Sequence, residues 1–452
     1  MSHIVPTIRI QSIAIMMSMM SKGGDTERKQ VSSANQKEKQ FMKAIVWKGP
    51  HKVACETRTK PHILDSEDVI VKVTYCSVCS GSDSHLYSGE IPTMEDGMIL
   101  GHEACGIVRA VGDDVAKLQV GDHVVISFSI ACGKCEFCKR EEFSGCDETN
   151  TSPQFRELYG GRPARAIFGY SKLVGNIDGS QAEYVRVPYG DVNCYKIPSS
   201  VPEESALFVS DVLSTSLHAT EMAEVGKGDN ILIFGLGPIG LYCAAWARHK
   251  GARRIIGIDN VPERLTLASK KFGVEAFDRQ LFSSQELLKR LRGTVPLGGM
   301  DAVIDATGFR YSETWQHRLQ RVAGKVPSTT EMLTECMQLV RKFGRVALIA
   351  DYLGRVNHFP LGHVFQKNLI IRSGQCPVQK YFGQVMDALE KGVIDPTLMV
   401  THRIRLDQVP QAYDRLFRKE QGYIKVLIEV SDPQSVSEEQ EVAGLRPKQP
   451  VP

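Results

Sequence analysis

The chain has 452 residues, 42% apolar and 24% charged, which leaves room for two or three domains with ample core. Its 55 basic and 52 acidic side chains give a net charge of +3 with no block of five or more like charges, which argues against a nucleic-acid or acidic-membrane partner. Twelve cysteines are many for an intracellular chain, and at least five of them fall in metal-ligand patterns.

Residues 1–41 are unlike the rest and read as a disordered extension. The apolar run 13–20 (IAIMMSMM) is too short to cross a bilayer, and Arg9 ahead of it, with no small-residue cleavage site, makes only a feeble secretory signal. A cytoplasmic location is expected, with mitochondrial import as the alternative because no acid precedes Asp25. From Met42 to about residue 202, short β-branched runs bounded by Gly, Asp or Pro read as strands: 43–47, 68–76, 106–112, 122–127 and 182–188. Residues 148–179 and 309–329 lack clear strands and read as insertions over a cleft or an interface.

Two groups in the first part carry chemistry. Cys79-Ser80-Gly81-Ser82-Asp83-Ser84-His85 gathers a thiol, hydroxyls, a carboxylate and an imidazole, and Gly101-His102-Glu103 follows. A catalytic zinc takes about three protein ligands and keeps one position open, so Cys79 and His102 are the natural first choices. His102 alone would as readily be an ordinary buried histidine; its neighbours weight the reading. The second group is Cys132, Cys135, Cys138 and Cys146, spaced C-x2-C-x2-C-x7-C. Four thiols at this spacing surround one ion, and zinc suits a closed thiolate cage. An iron–sulfur run would close after three residues with C-P, whereas here the gap is seven and Asp147 follows.

Beyond residue 211 the pattern changes to continuous apolar strands alternating with helices: 230–235, 253–259, 301–308, 344–350 and 369–374, the signature of a doubly wound parallel sheet. Gly235-Leu236-Gly237-Pro238-Ile239-Gly240 closes the first of these strands and opens a helix, and Asp259 ends the next. Such a loop brings backbone N–H groups onto a pyrophosphate, while the acid meets the adenosine ribose hydroxyls and repels a 2′-phosphate. NAD is therefore expected over NADP, a preference that Arg264 weakens. After residue 374 a helix and short strands continue to Val430.

Taken together, the cysteine quartet, Gly-His-Glu, the Cys79-to-His85 cluster and the glycine loop with its downstream Asp resemble the zinc-dependent medium-chain alcohol dehydrogenases, over about 42–430. Within that family, 207–219 (LFVSDVLSTSLHA), the long segment after the cysteine lobe and 374–381 (GQCPVQKY) are similar to the glutathione-independent formaldehyde dehydrogenase branch and its fungal relatives. The resemblance implies an α/β fold: a GroES-like, mainly β catalytic domain over 42–211 with the zinc lobe, a Rossmann domain with its doubly wound parallel sheet over 212–373, a return to the first domain over 374–430, and a disordered tail over 431–452. It implies Asp211 as a third ligand beside Cys79 and His102, with Glu103 binding the ion or supporting its ligands. One departure stands out. The family reads C-G-[ST]-D-x-H, and this chain is one residue longer before Ser82, so keeping Cys79 as the ligand requires a bulge in the turn. Cys76 lies too deep in the strand to replace it.

By the same resemblance, Ser82 accepts the substrate's hydroxyl proton and passes it through the nicotinamide ribose hydroxyl to His85; Lys425 meets the pyrophosphate, Asp83 supports the site and His218 is structural. The implied activity is hydride transfer between an alcohol or aldehyde hydrate and NAD, with one catalytic and one structural zinc per chain and a homo-oligomeric (dimer or tetramer) state. The alternatives are an aldehyde dismutase with tightly held NAD and a non-catalytic zinc- and nucleotide-binding protein. The substrate is left open among polyols, aliphatic and aromatic alcohols and formaldehyde adducts.

Overall fold

The computed structural model describes residues 40–307, 330–352, 358–420 and 422–431. The expected insertion at 309–329, nearly all of the N-terminal extension and nearly all of the C-terminal tail lie outside them.

The strand Asn230–Phe234 (NILIF) is buried along its whole length, as an apolar run covered on both faces must be. Each of Ile231, Leu232, Ile233 and Phe234 contributes roughly 1.5–3 kcal/mol by leaving water. Around it assemble Arg254–Asp259, Glu275–Asp278, Met300–Asp305, Val340–Leu348 and Ile370–Ser373, a six-stranded sheet in which every pairing is parallel. Numbered along the chain, its strands lie in the order 3-2-1-4-5-6. The order reverses between Asn230–Phe234 and Met300–Asp305, and dinucleotides bind in the crevice beyond the strand ends at such a point. The crossover helices start and stop where the sequence supplies punctuation. Pro238 opens Pro238–His249, where its missing N–H costs nothing, and Gly273 closes Pro262–Phe272 at φ 59°.

A second, seven-stranded sheet runs Val400–Arg405, Lys425–Glu429, Val69–Val78, Ala104–Val111, His123–Ile126 and Cys194–Lys196, with Tyr184–Val187 also pairing Val69–Val78. Lys425–Glu429 lies antiparallel to Val69–Val78, so the end of the described chain rejoins the sheet that its beginning built. Both sheets feed one core: Phe208, Leu213 and Leu217 on and before the helix Val212–Met222 pack with Ile231, Ile233 and Tyr381. This is the two-domain α/β architecture expected from the sequence.

Several short strands were not expected, two of them instructive. Val53–Thr59 pairs Phe41–Trp47, and Glu275–Asp278 forms a sheet edge; both are short, half-exposed and polar, so neither shows an apolar run. Residues 148–179 are also more ordered than their sequence suggested. They hold the helix Pro153–Leu158 and the strand Ala166–Ile167, which pairs Ser129–Ile130. Among the described residues, no helix is long and apolar enough to cross a membrane.

Candidate metal and cofactor site

Three elements deliver the first donor set. Cys79 follows the strand Val69–Val78, His102 and Glu103 precede its antiparallel partner Ala104–Val111, and Asp211 stands at the N-terminus of Val212–Met222. One ligand atom each from Cys79, His102, Glu103 and Asp211 lies within 4.8 Å of the others. His102 Nε2 is 3.6 Å from Asp211 Oδ2. Two ligands about 2.0–2.1 Å from a tetrahedral ion stand about 3.4 Å apart, so the spacing fits zinc.

The other atoms of these groups are fixed by the protein. Asp83 Oδ1 lies 3.3 Å from His102 Nδ1, while Asp83 Oδ2 accepts from the Cys79 N–H at 2.9 Å and from Gln181 Nε2 at 3.2 Å. One buried carboxylate therefore orients two of the proposed ligands, the outer support that metal sites rely on. Asp211 Oδ1 accepts from Thr215 Oγ1 at 2.6 Å, leaving Oδ2 toward His102. The extra residue in the 79–82 turn is absorbed there: the Asp83 N–H bonds back to the Cys79 carbonyl at 3.1 Å. Cys76 stays buried within the strand, outside the group.

Burial opposes charge on His102, yet Asp83 and Asp211 outweigh it and hold its imidazolium well above the ordinary range. Burial likewise opposes ionisation of Asp211, and His102, Thr215 and Lys425 overcome it, so its carboxyl lies below its usual value. A buried cluster this rich in anionic donors is satisfied by a dication.

Lys425 requires a correction. Lys425 was expected at the cofactor's pyrophosphate, but it is fully buried, and its Nζ donates to Glu103 Oε1 and Oε2 at 2.7 and 2.6 Å. Ser77 Oγ donates to the same carboxylate. Glu103 thus stands in the donor group with both oxygens engaged, and Lys425 is turned to that group rather than to the cofactor site.

Ser82 opens the short helix Ser82–Tyr87, and His85 lies one turn further on the same face. His85 Nδ1 is 2.6 Å from Glu90 Oε2, which places a carboxylate at the outer end of the expected proton path. A residue unforeseen in the sequence completes this corner. Tyr170 packs its ring 5.7 Å from that of His102, and burial raises its phenol, with His102 and the Ser82 hydroxyl opposing.

The cysteine lobe brings Cys132, Cys135, Cys138 and Cys146 within 4.8 Å of one another. Cys132 Sγ is 3.9 Å from Cys138 Sγ, close to the roughly 3.8 Å edge of a tetrahedron with Zn–S bonds of about 2.3 Å and far from a disulfide. The N–H groups of Lys134 and Cys135 point at Cys132 Sγ at 3.4 and 3.3 Å, and that of Cys132 at Cys146 Sγ at 3.4 Å, which favours thiolates.

In the glycine loop, Gly235 has φ +86°, and a Cβ on Gly240 would collide with the Gly235 carbonyl, so both are required by the turn itself. Gly237 differs: the nearest protein atom to a Cβ there is Arg264 Nη1 at 3.8 Å. Packing does not require it to be bare, whereas a pyrophosphate lying against its backbone does. Pro238 and Ile239 open the helix beyond. Asp259 ends the neighbouring strand, accepts from the N–H groups of Leu236, Asn260 and Val261 at 2.7–3.0 Å, and has Arg264 Nη1 3.7 Å away.

Between the sheets lies a cavity of about 420 Å³, lined by Tyr159, Arg165 and Tyr170 from one side and by Leu348–Tyr352 and Ser373–Gln375 from the C-terminal strand ends of the other. Tyr170 joins it to the metal cluster.

Comparison with known proteins agrees with this geometry. The family described as the alcohol dehydrogenase GroES-like domain matches residues 65–199. A zinc-type alcohol dehydrogenase-like protein of Schizosaccharomyces pombe is 51% identical over 391 residues, 86% of this chain and 92% of that one. A glutathione-independent formaldehyde dehydrogenase of Pseudomonas aeruginosa is 32% identical over 82% of this chain and 94% of its own length. The solved alcohol dehydrogenase from Thermus sp. ATN1 superposes with a TM-score of 0.73 at 32% identity, covering 86% of this chain and all of that one. The chain belongs to the zinc-dependent medium-chain alcohol dehydrogenases. It is a zinc-dependent oxidoreductase that acts on CH–OH donors with a nicotinamide cofactor.

Proposed function

We propose that this chain interconverts alcohols and carbonyl compounds with NAD, holding the catalytic zinc on Cys79, His102 and Asp211 and a structural zinc on Cys132, Cys135, Cys138 and Cys146. The observation that carries the reading is the convergence of Cys79, His102 and Asp211 from three separate elements beside the cavity that meets the parallel sheet. Bound there, zinc supplies Lewis acidity that makes an alcohol's hydroxyl acidic near neutral pH, and NAD supplies the hydride acceptor.

The chain's own groups then handle the proton. Ser82, half-buried and beside Tyr170, accepts it and hands on its own, since a hydroxyl both donates and accepts. His85 receives the proton at the far side, with Glu90 holding its Nδ1. Tyr170 and Phe128, whose rings face His102, keep water from the metal end. Asp259 supports NAD over NADP, because a carboxylate braced by three backbone N–H groups stands where a 2′-phosphate would enter.

The experiment is turnover of a panel of alcohols and aldehydes with NAD and NADP, followed by absorbance of the reduced nicotinamide, alongside zinc analysis. Two zinc ions per chain and NAD-linked oxidation are expected. One zinc ion with no turnover would contradict the reading, and turnover of aldehydes without added cofactor would replace it with dismutation.

A further inference from the structure

The cavity contains a charge that the reaction does not use. Arg165, just before the strand Ala166–Ile167, is only 8% exposed, and its buried Nε has no hydrogen-bond partner among the described residues. Among the described residues no carboxylate stands within ion-pair distance of it, although Asp351 lines the same cavity. Burial pulls its pKa down even though Asp351, Tyr170 and Tyr159 act the other way, so the described residues do not compensate the buried charge. A guanidinium stays protonated at any working pH, and buried charges in folded proteins are paired. Its planar fork matches a carboxylate or phosphate.

We propose that Arg165 is the anion-recognising group of the substrate cavity, so that the preferred alcohols carry a carboxylate or phosphate remote from the hydroxyl that is oxidised. The proposal rests on the reading of this cavity as the alcohol site. Arg165 and Tyr170 line one wall, and Tyr170 also packs on His102, so a substrate whose hydroxyl is at the metal end extends along that wall toward the guanidinium. Neither the glycine loop nor the three proposed zinc ligands line the cavity themselves; Tyr170, which lines it and packs on His102, is the link to the metal end. Asp351 opposes an incoming anion and so tunes its affinity.

Calorimetric binding tests this without relying on turnover. The probes are 4-hydroxybutanoate, glycerol 3-phosphate and neutral 1,4-butanediol, added to the zinc-loaded protein with NADH present. In the wild type, at least one anion is expected to bind about tenfold or more tightly than the diol, the order of a charge-assisted hydrogen-bonded pair. Arg165→Gln should lose that advantage while changing diol binding by less than about twofold, Arg165→Lys should keep part of it, and Asp351→Asn should strengthen it. Which anion gains distinguishes carboxylate from phosphate. Arg165→Gln should melt at or above the wild-type temperature, since it removes an uncompensated charge. Anions binding no better than the diol, equal weakening of all three probes by Arg165→Gln, or a large fall in its melting temperature would each overturn the proposal. Tight, Arg165-dependent anion binding in a protein that oxidises none of these alcohols would instead overturn the catalytic reading and leave the anion site standing.

Discussion

Asp83 bonds to the backbone of Cys79 and faces the ring of His102, so its effect on zinc exceeds that of an ordinary buried acid. Asp83→Asn keeps the shape and removes the charge, and is expected to weaken binding of the catalytic zinc by about 10–100-fold, measured by competition with a chelator. Asp211→Ala should yield a folded protein with one zinc ion per chain and no turnover; near wild-type activity would remove Asp211 from the ligand set. Lys425→Met strands Glu103 in a fully buried place and should cost about 3–5 kcal/mol in denaturant unfolding, with Glu103→Gln added to Lys425→Met recovering most of it. How far these residues could be read from sequence depended on locality. Cys79 and His102 announce themselves because each sits in a short run of metal-binding side-chain types. Asp211 has no such neighbours and emerged only through family resemblance. Arg165 and Tyr170 gave no signal, since their stretch lacks periodicity and their meaning comes from what lies across the cavity.

Two glycines of one loop separate folding from binding at the level of the strand–turn–helix unit. Gly240→Ala pushes a methyl group into the Gly235 carbonyl and should destabilise the fold by about 1–3 kcal/mol. Gly237→Ala meets no protein atom nearer than 3.8 Å, so it should melt like the wild type and yet bind NADH far more weakly, read by fluorescence titration. Equal melting temperatures with unchanged NADH affinity would remove the pyrophosphate from this loop. The same distinction explains which elements the sequence showed. Buried strands such as Asn230–Phe234 are apolar along their length, whereas Val53–Thr59 and Glu275–Asp278 are half-exposed, and their polar residues hid them. The cofactor-binding unit was legible because its turn residues and its flanking strand and helix agree; the cavity wall, assembled from 148–179, was not.

At the scale of the whole molecule, one buried histidine links stability to pH. His218, on the helix that follows Asp211, pairs its Nδ1 with the Tyr381 hydroxyl at 2.9 Å, and burial pushes its pKa from 6.5 down to about 4. The unfolded chain therefore binds this proton more readily than the folded one, and stability falls as pH drops from about 6.5 toward about 4, by about 3 kcal/mol in all. His218→Gln should remove that part of the acid sensitivity, visible as a flatter plot of unfolding free energy against pH; an unchanged slope would assign the sensitivity to other groups.

The central claim is that Cys79, His102 and Asp211 jointly bind one ion at the cavity's end. Anomalous diffraction at the zinc absorption edge, from crystals of protein purified without chelators, addresses it directly. Two peaks per chain are expected, one enclosed by the four cysteines of the lobe and one between Cys79 Sγ, His102 Nε2 and Asp211 Oδ2. A single peak in the cysteine lobe, or a second peak away from those three atoms, would contradict the account.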